Sequence, residues 1–122
     1  YTRWGFKQLI EANAAQVLNA DAQVLGGITE WKKVADLAMS SHVLLAPHGD
    51  QEIHAHLVAS VPNGLIAEYY DNNTNALLKD MFPEPIRLNE LGQIMVPQAP
   101  GLGVEIEYER IRPYCTYSSD DK

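Results

Sequence analysis

Asp21, His48 and Glu68 each end an apolar run of strand character, and the three runs, Val17 to Asp21, Val43 to His48 and Leu65 to Glu68, are separated by helical patterns. That alternation gathers the three groups at the carboxyl edge of one parallel sheet, the edge at which α/β proteins carry out chemistry. A carboxylate, an imidazole and a second carboxylate converging there suit proton transfer. Histidine titrates near neutrality, and a neighbouring acid fixes its tautomer and raises its basicity.

Each group also has a plainer reading. A strand-end histidine can simply be satisfied by a backbone carbonyl, but Asp21 ends the adjacent run in the same sense, within hydrogen-bond reach if the strands are neighbours. Glutamate is usually a solvated loop acid; Glu68 follows three apolar residues, which predicts partial burial, a raised pKa and a protonated form able to donate to an oxyanion. His54 and His56, two apart on a helix, face different directions and make a shared metal site unexpected, so both are read as surface or packing residues. Gly26 and Gly27 lack the third glycine and downstream acid of a dinucleotide fingerprint and read as a tight turn beside the site. Trp4 and Trp31 read as core.

The elements that must position these groups follow from periodicity. Phe6, Leu9, Ile10 and Ala14 recur at helical spacing from Trp4 to Ala14. Thr29 is the expected N-cap of a helix whose stripe is Trp31, Val34, Ala35 and Ala38. Val43 to Ala46 is a continuous apolar run, the mark of a strand covered on both faces. Asp50, Gln51 and Glu52 suit the start of a helix with Ile53, Leu57 and Val58 inward, and Pro62, Asn63 and Gly64 break it. Three helix-then-strand units joined by right-handed crossovers give parallel strands. After Asp71 the texture changes to a short helix through Leu77, Leu78 and Met81, a turn at Pro100 to Gly103, and the alternation Val104, Ile106, Tyr108 of an irregular or antiparallel covering element. Ser118 to Lys122 are expected to be mobile.

Composition bounds the function. The 122 residues carry a formal charge of -7, with 46% hydrophobic and 20% charged residues, ordinary for a globular protein. The acidic balance opposes nucleic-acid binding, and no run reaches the roughly 20 apolar residues of a membrane span. Cys115, the single cysteine, excludes an internal disulfide and favours a reducing, cytoplasmic setting. The chain is half the roughly 250 residues of a closed eight-stranded α/β barrel. It opens on Tyr1-Thr-Arg-Trp without methionine or secretion signal, so an excised or truncated piece is expected. Asn72-Asn73-Thr74 is then a chance glycosylation acceptor.

Taken together, Asn19-Ala-Asp21, Gly26-Gly-Ile-Thr-Glu-Trp31, Pro47-His48 with Gln51-Glu-Ile53 and His56-Leu57, Pro62-Asn63, Glu68 and Pro100-Gly-Leu-Gly103 resemble the carboxyl-terminal part of the enolase superfamily, in its mandelate racemase/muconate lactonizing enzyme subgroup. The order matches, as do the spacings of 27 from Asp21 to His48 and 20 from His48 to Glu68. The resemblance implies an α/β fold: residues 1–71 as the last three strands, with helices, of a modified TIM (β/α) barrel, and residues 72–122 as a segment packing on an amino-terminal capping domain. It implies His48 as acid/base, Asp21 as its dyad partner and Glu68 as hydrogen-bond donor to an enediolate. It implies Mg²⁺ in a longer parent, with the metal-binding carboxylates and a second, lysine base upstream of Tyr1, so that this chain alone binds no Mg²⁺ and is inactive. The implied partners are a small carboxylate substrate of the acid-sugar class, the upstream barrel half with its capping domain, and further copies in a homo-oligomer. Dehydration of a sugar acid is the favoured reaction. The alternatives are racemisation or epimerisation of a 2-hydroxy acid, and an inert fragment or packing module.

Overall fold

The computed structural model of the chain describes residues 2–116, and the chain divides into two compact units, Tyr1–Tyr69 and Tyr70–Lys122. In the first unit, helix α1 (Arg3–Glu11) precedes strand β1 (Val17–Leu18), helices α2 (Ala22–Leu25) and α3 (Ile28–Ser40), strand β2 (Leu44–Leu45) and helix α4 (Gln51–Ala59).

Helix α1 forms because Phe6 and Ile10, four apart, share one face; Ile10 is buried and Phe6 packs beside it on the core. It stops at Glu11, short of the expected Ala14. Asn13 turns left-handed at φ 51°, and the Ala14 amide donates back to the Leu9 carbonyl at 2.9 Å, a Schellman closure. Trp4 falls off the buried face: it is 60% exposed, with the Arg3 guanidinium 4.6 Å from its ring centroid. The core assignment of Trp4 is therefore corrected, whereas Trp31 is fully buried.

Helix α2 is a single turn that hydrophobic period does not reveal. The two glycines serve its end: Gly26 closes it left-handed at φ 95°, and Gly27, at φ 118° and ψ 176°, opens α3. That second conformation is essentially confined to glycine. Gly27, and not Thr29, is thus the N-cap of α3, and Thr29 lies in the first turn. The α3 stripe of Trp31, Val34, Ala35 and Ala38 is buried as its spacing predicts, while Lys32 and Asp36 pair on the outer face.

Strands β1 and β2 run parallel, Val17 opposite Leu44 and Leu18 opposite Leu45. The third run joins through one parallel bridge, Leu45 with Gly64, closed by Leu45 N–H to the Asn63 carbonyl (2.9 Å) and Leu65 N–H to the Leu45 carbonyl (2.8 Å). Beyond Leu65 it has no ladder partner among the described residues, so the expected third strand shortens to a bridge. Cover on both faces is also corrected. Leu18, Ala20 and Leu45 join the core formed with the helices, but Val17 and Leu44 are 40% and 37% exposed on the opposite face.

The Pro62-Asn63-Gly64 break is structural. Asn63 Nδ2 donates to the carbonyls of Ala35 and Val43, each at 3.1 Å, tying α3 to the approach of β2. A Cβ at Gly64 would lie 2.3 Å from the Val58 carbonyl oxygen, so only glycine fits. In α4 the acidic start differs from expectation: Asp50 is left-handed at φ 41° and its carboxylate makes no cap bond, while Gln51 and Glu52 are buried. Burial pushes the Glu52 carboxyl up.

The second unit holds a 3₁₀ turn (Asn72–Thr74), helix α5 (Ala76–Met81) capped by Asn75, helix α6 (Tyr108–Ile111) and a closing 3₁₀ turn (Arg112–Tyr114). The Pro100 to Gly103 turn forms, with Gly103 N–H on the Pro100 carbonyl at 3.3 Å. Val104, Ile106 and Tyr108 do not make a strand; Tyr108 begins α6, and the antiparallel bridge of this unit joins Leu88 to Ile94. Ser118 to Lys122 lie outside the described residues.

Candidate functional site

The parallel register carries the site. Val17 pairs with Leu44 and Leu18 with Leu45, an offset of 27 that continues past the ladder: Asn19 Nδ2 donates to the Ala46 carbonyl at 2.8 Å, and His48 Nδ1 lies 3.1 Å from Asp21 Oδ2, both again at 27. Side chains alternate across a strand, so Asp21 and His48 share the face of Val17 and Leu44. The third run repeats the logic. Leu45 opposes Gly64, and at the same offset of 19 the Gly49 amide donates to Glu68 Oε2 at 2.7 Å. Asp21 meets His48 directly, and half-buried Glu68 binds the residue that follows it.

Asp21 does two jobs. Its Oδ1 caps α2 by accepting the amides of Gln23 (2.7 Å) and Val24 (3.3 Å), which leaves Oδ2 aimed at His48. Its side chain is 11% exposed, against 56% for His48. Burial pushes the Asp21 carboxyl up, but hydrogen bonds from His48 and from the Gln23 and Val24 amides outweigh it and hold the group below 3.8. The Asp21 hydrogen bond raises His48 above 6.5, opposed by burial and reinforced by the charges of Glu68, Asp21 and Asp50. An ionised Asp21 Oδ2 accepts a hydrogen bond from His48 Nδ1–H, the tautomer in which the ring lone pair sits on Nε2.

Folding raises His48 and lowers Asp21, so the pair stabilises the fold between their ordinary values of 3.8 and 6.5. Its contribution fades as pH rises through the elevated His48 value and as pH falls through the depressed Asp21 value. In Asp21→Asn, the His48 titration followed by imidazole NMR should move down toward 6.5. A midpoint as high as in the wild type would exclude the pairing.

A cleft of about 400 Å³ opens on the dyad, lined by Phe6, Asn19, Asp21, Val24, Leu25 and His48. Polar groups meet apolar walls there, as in sites for small molecules. No group of three His, Cys, Asp or Glu suited to a metal ion occurs among the described residues, and both Asp21 oxygens are already engaged. Nor is any helix among the described residues long and apolar enough to cross a membrane.

Two residues carry more of this geometry than sequence reasoning gave them. Asn19 clamps the strand ends, and its amide beside Asp21 is the signal that could have marked it. His54, read as a surface or packing histidine, is wholly buried and hydrogen-bonded at both ring nitrogens. His56 is half-buried.

Residues 1–111 match the family described as enolase C-terminal domain-like. The L-rhamnonate dehydratase of Saccharopolyspora erythraea is 31% identical over 93% of this chain and 31% of its own length. The 3,6-anhydro-alpha-L-galactonate cycloisomerase of Streptomyces coelicolor is 30% identical over 91% of this chain and 29% of its own. Among solved structures, a mandelate racemase/muconate lactonizing enzyme from a marine actinobacterium, in complex with magnesium, superposes with a TM-score of 0.83 at 30% identity, over 93% of this chain and 32% of that one. The L-talarate dehydratase of a Polaromonas species, complexed with Mg and L-glucarate, gives 0.78 at 34% identity, over 89% and 29%. The chain thus spans about a third of the length of the relatives it matches.

Proposed function

Because the chain belongs to the enolase C-terminal domain-like family, we propose that it is the carboxyl-terminal part of a longer sugar-acid dehydratase, with Asp21, His48 and Glu68 on the acid/base side of the active site. The observation that carries this reading is the 3.1 Å contact of His48 Nδ1 with Asp21 at the mouth of the cleft. Nε2 of His48 takes the proton α to the substrate carboxylate, and the electron pair left behind forms an enediolate. The same proton then leaves with the β-hydroxyl as water, and the resulting enol becomes a 2-keto acid. One residue serves both steps because an imidazole can both take up a proton and return it near neutrality. Glu68, one of whose oxygens Gly49 holds, would be the hydrogen-bonding partner of the enediolate.

The exposed apolar face of Val17 and Leu44 would be part of a barrel interior, and the Tyr70–Lys122 unit would pack on a capping domain. Magnesium is present in both of the solved structures named above. Its ligands would come from elsewhere in the parent, while Asp21 and His48 would supply proton transfer and Glu68 a hydrogen bond to the enediolate.

The test is a panel of sugar acids with Mg²⁺ and the full-length parent. Dehydration releases a 2-keto acid that a carbonyl reagent detects. Solvent deuterium exchange or changed optical rotation without keto acid would replace this reading by racemisation, and neither signal on any substrate would leave a packing module.

A further inference from the structure

We propose that His54, in the core face of α4, is a positioning residue for the dyad: its ring bridges the residue after Asp21 to the residue after His48 and holds the two loop ends at hydrogen-bond distance. The Ala22 amide donates to His54 Nε2 at 3.0 Å, and His54 Nδ1 lies 2.7 Å from the Gly49 carbonyl. A carbonyl only accepts and an amide N–H only donates, so the two contacts together put the ring proton on Nδ1 and leave Nε2 as acceptor. A proton on Nε2 would face the Ala22 N–H and break the bridge.

The bridge meets needs that the dyad residues leave open. Asp21 caps the amides of Gln23 and Val24 but not that of Ala22, which His54 takes. After His48 the chain passes through two successive left-handed residues, Gly49 at φ 56° and Asp50 at φ 41°. Such conformations persist when their surroundings over-determine them. Gly49 is pinned from both sides, its carbonyl by His54 and its amide by Glu68. The ring has 0% exposure and its Nε2 lies 3.9 Å from Asp21 Oδ1, which places it directly against the dyad acid.

The proposal rests on Asp21 and His48 acting as a pair and does not depend on which reaction they serve. It is tested on the full chain with ¹⁵N-labelled histidine. In the wild type, a coupling across the hydrogen bond should connect the Ala22 amide nitrogen to His54 Nε2; an Nε2-protonated His54 would overturn the proposal. In His54→Leu, which keeps volume and severs both bonds, proton binding at His48 should weaken roughly threefold or more. His54→Gln, which restores an acceptor and a donor, should recover part of it. Asp21, Glu68 and Asp50, which act on His48, are unchanged in both variants, and both variants alike remove the influence of His54 on Asp21, so the recovery in His54→Gln over His54→Leu reports geometry. Folded variants with a wild-type His48 titration would refute the positioning role. If His54→Leu does not fold, His54→Gln and the wild-type coupling decide. Asp21→Asn separates the two readings: if it leaves His48 unmoved, the pairing itself fails and this inference with it, whereas silence of the His54 variants alone sinks only this inference.

Discussion

His48→Asn in the full-length parent should lower dehydration about 100- to 10,000-fold, the span that a positioned general acid/base contributes. Asparagine can still hydrogen-bond Asp21 but can neither take a proton from carbon nor return one to a departing hydroxyl. Both steps assigned to the residue are therefore lost together. Loss of keto-acid release and of solvent deuterium exchange in the same variant is the expected pair of results. Wild-type turnover would remove His48 from the mechanism. Asp21→Asn should reduce activity strongly while leaving the fold, because an amide donating to His48 Nδ1 would favour the tautomer with its proton on Nε2, the nitrogen needed as base. The α2 cap survives that change through the remaining side-chain oxygen, which can still accept from Gln23 and Val24.

Trp31→Ala should cost about 3–5 kcal/mol of stability, the usual range for emptying an aromatic core position. The ring is fully buried among residues drawn from α1, α2, α3 and both strands. Its Nε1 donates to the Ala20 carbonyl at 2.9 Å, immediately before Asp21, so the cavity and the lost bond act on the loop that carries the dyad acid. Trp31→Phe separates the contributions: most of the volume stays, and the unpaired Ala20 carbonyl alone costs about 1–3 kcal/mol. Urea unfolding measures both, with a lowered midpoint at constant slope as the expected outcome. A Trp31→Ala midpoint equal to the wild type would show that Trp31 does not hold the core.

Much of the site was legible in the chain because strand geometry is local. Apolar runs that end in Asp21 and His48 predict two parallel neighbours, and a period of two puts both groups on one face. The stripe of α3 was legible for the same reason, since Trp31, Val34, Ala35 and Ala38 repeat at helical spacing. Other features depend on distant parts of the chain. Trp4 is exposed because its helix buries a different face, and the third run fades because it has no ladder partner beyond Leu65 among the described residues. Thr29 has the chemistry of a cap, but Gly27 alone has the backbone freedom the junction requires.

Residue type and spacing by themselves determined which groups can exchange a proton and that they lie at one sheet edge, since pKa class and side-chain alternation belong to the chain. Only the tertiary structure decided that Asp21 is at once helix cap and histidine partner, that Gly49 anchors Glu68, and that a helix histidine with no sequence signal of its own is locked between the two loops. Those outcomes depend on which unpaired amides and carbonyls the packed elements bring within 3 Å of a side chain, and burial makes each such bond costly to leave unmade.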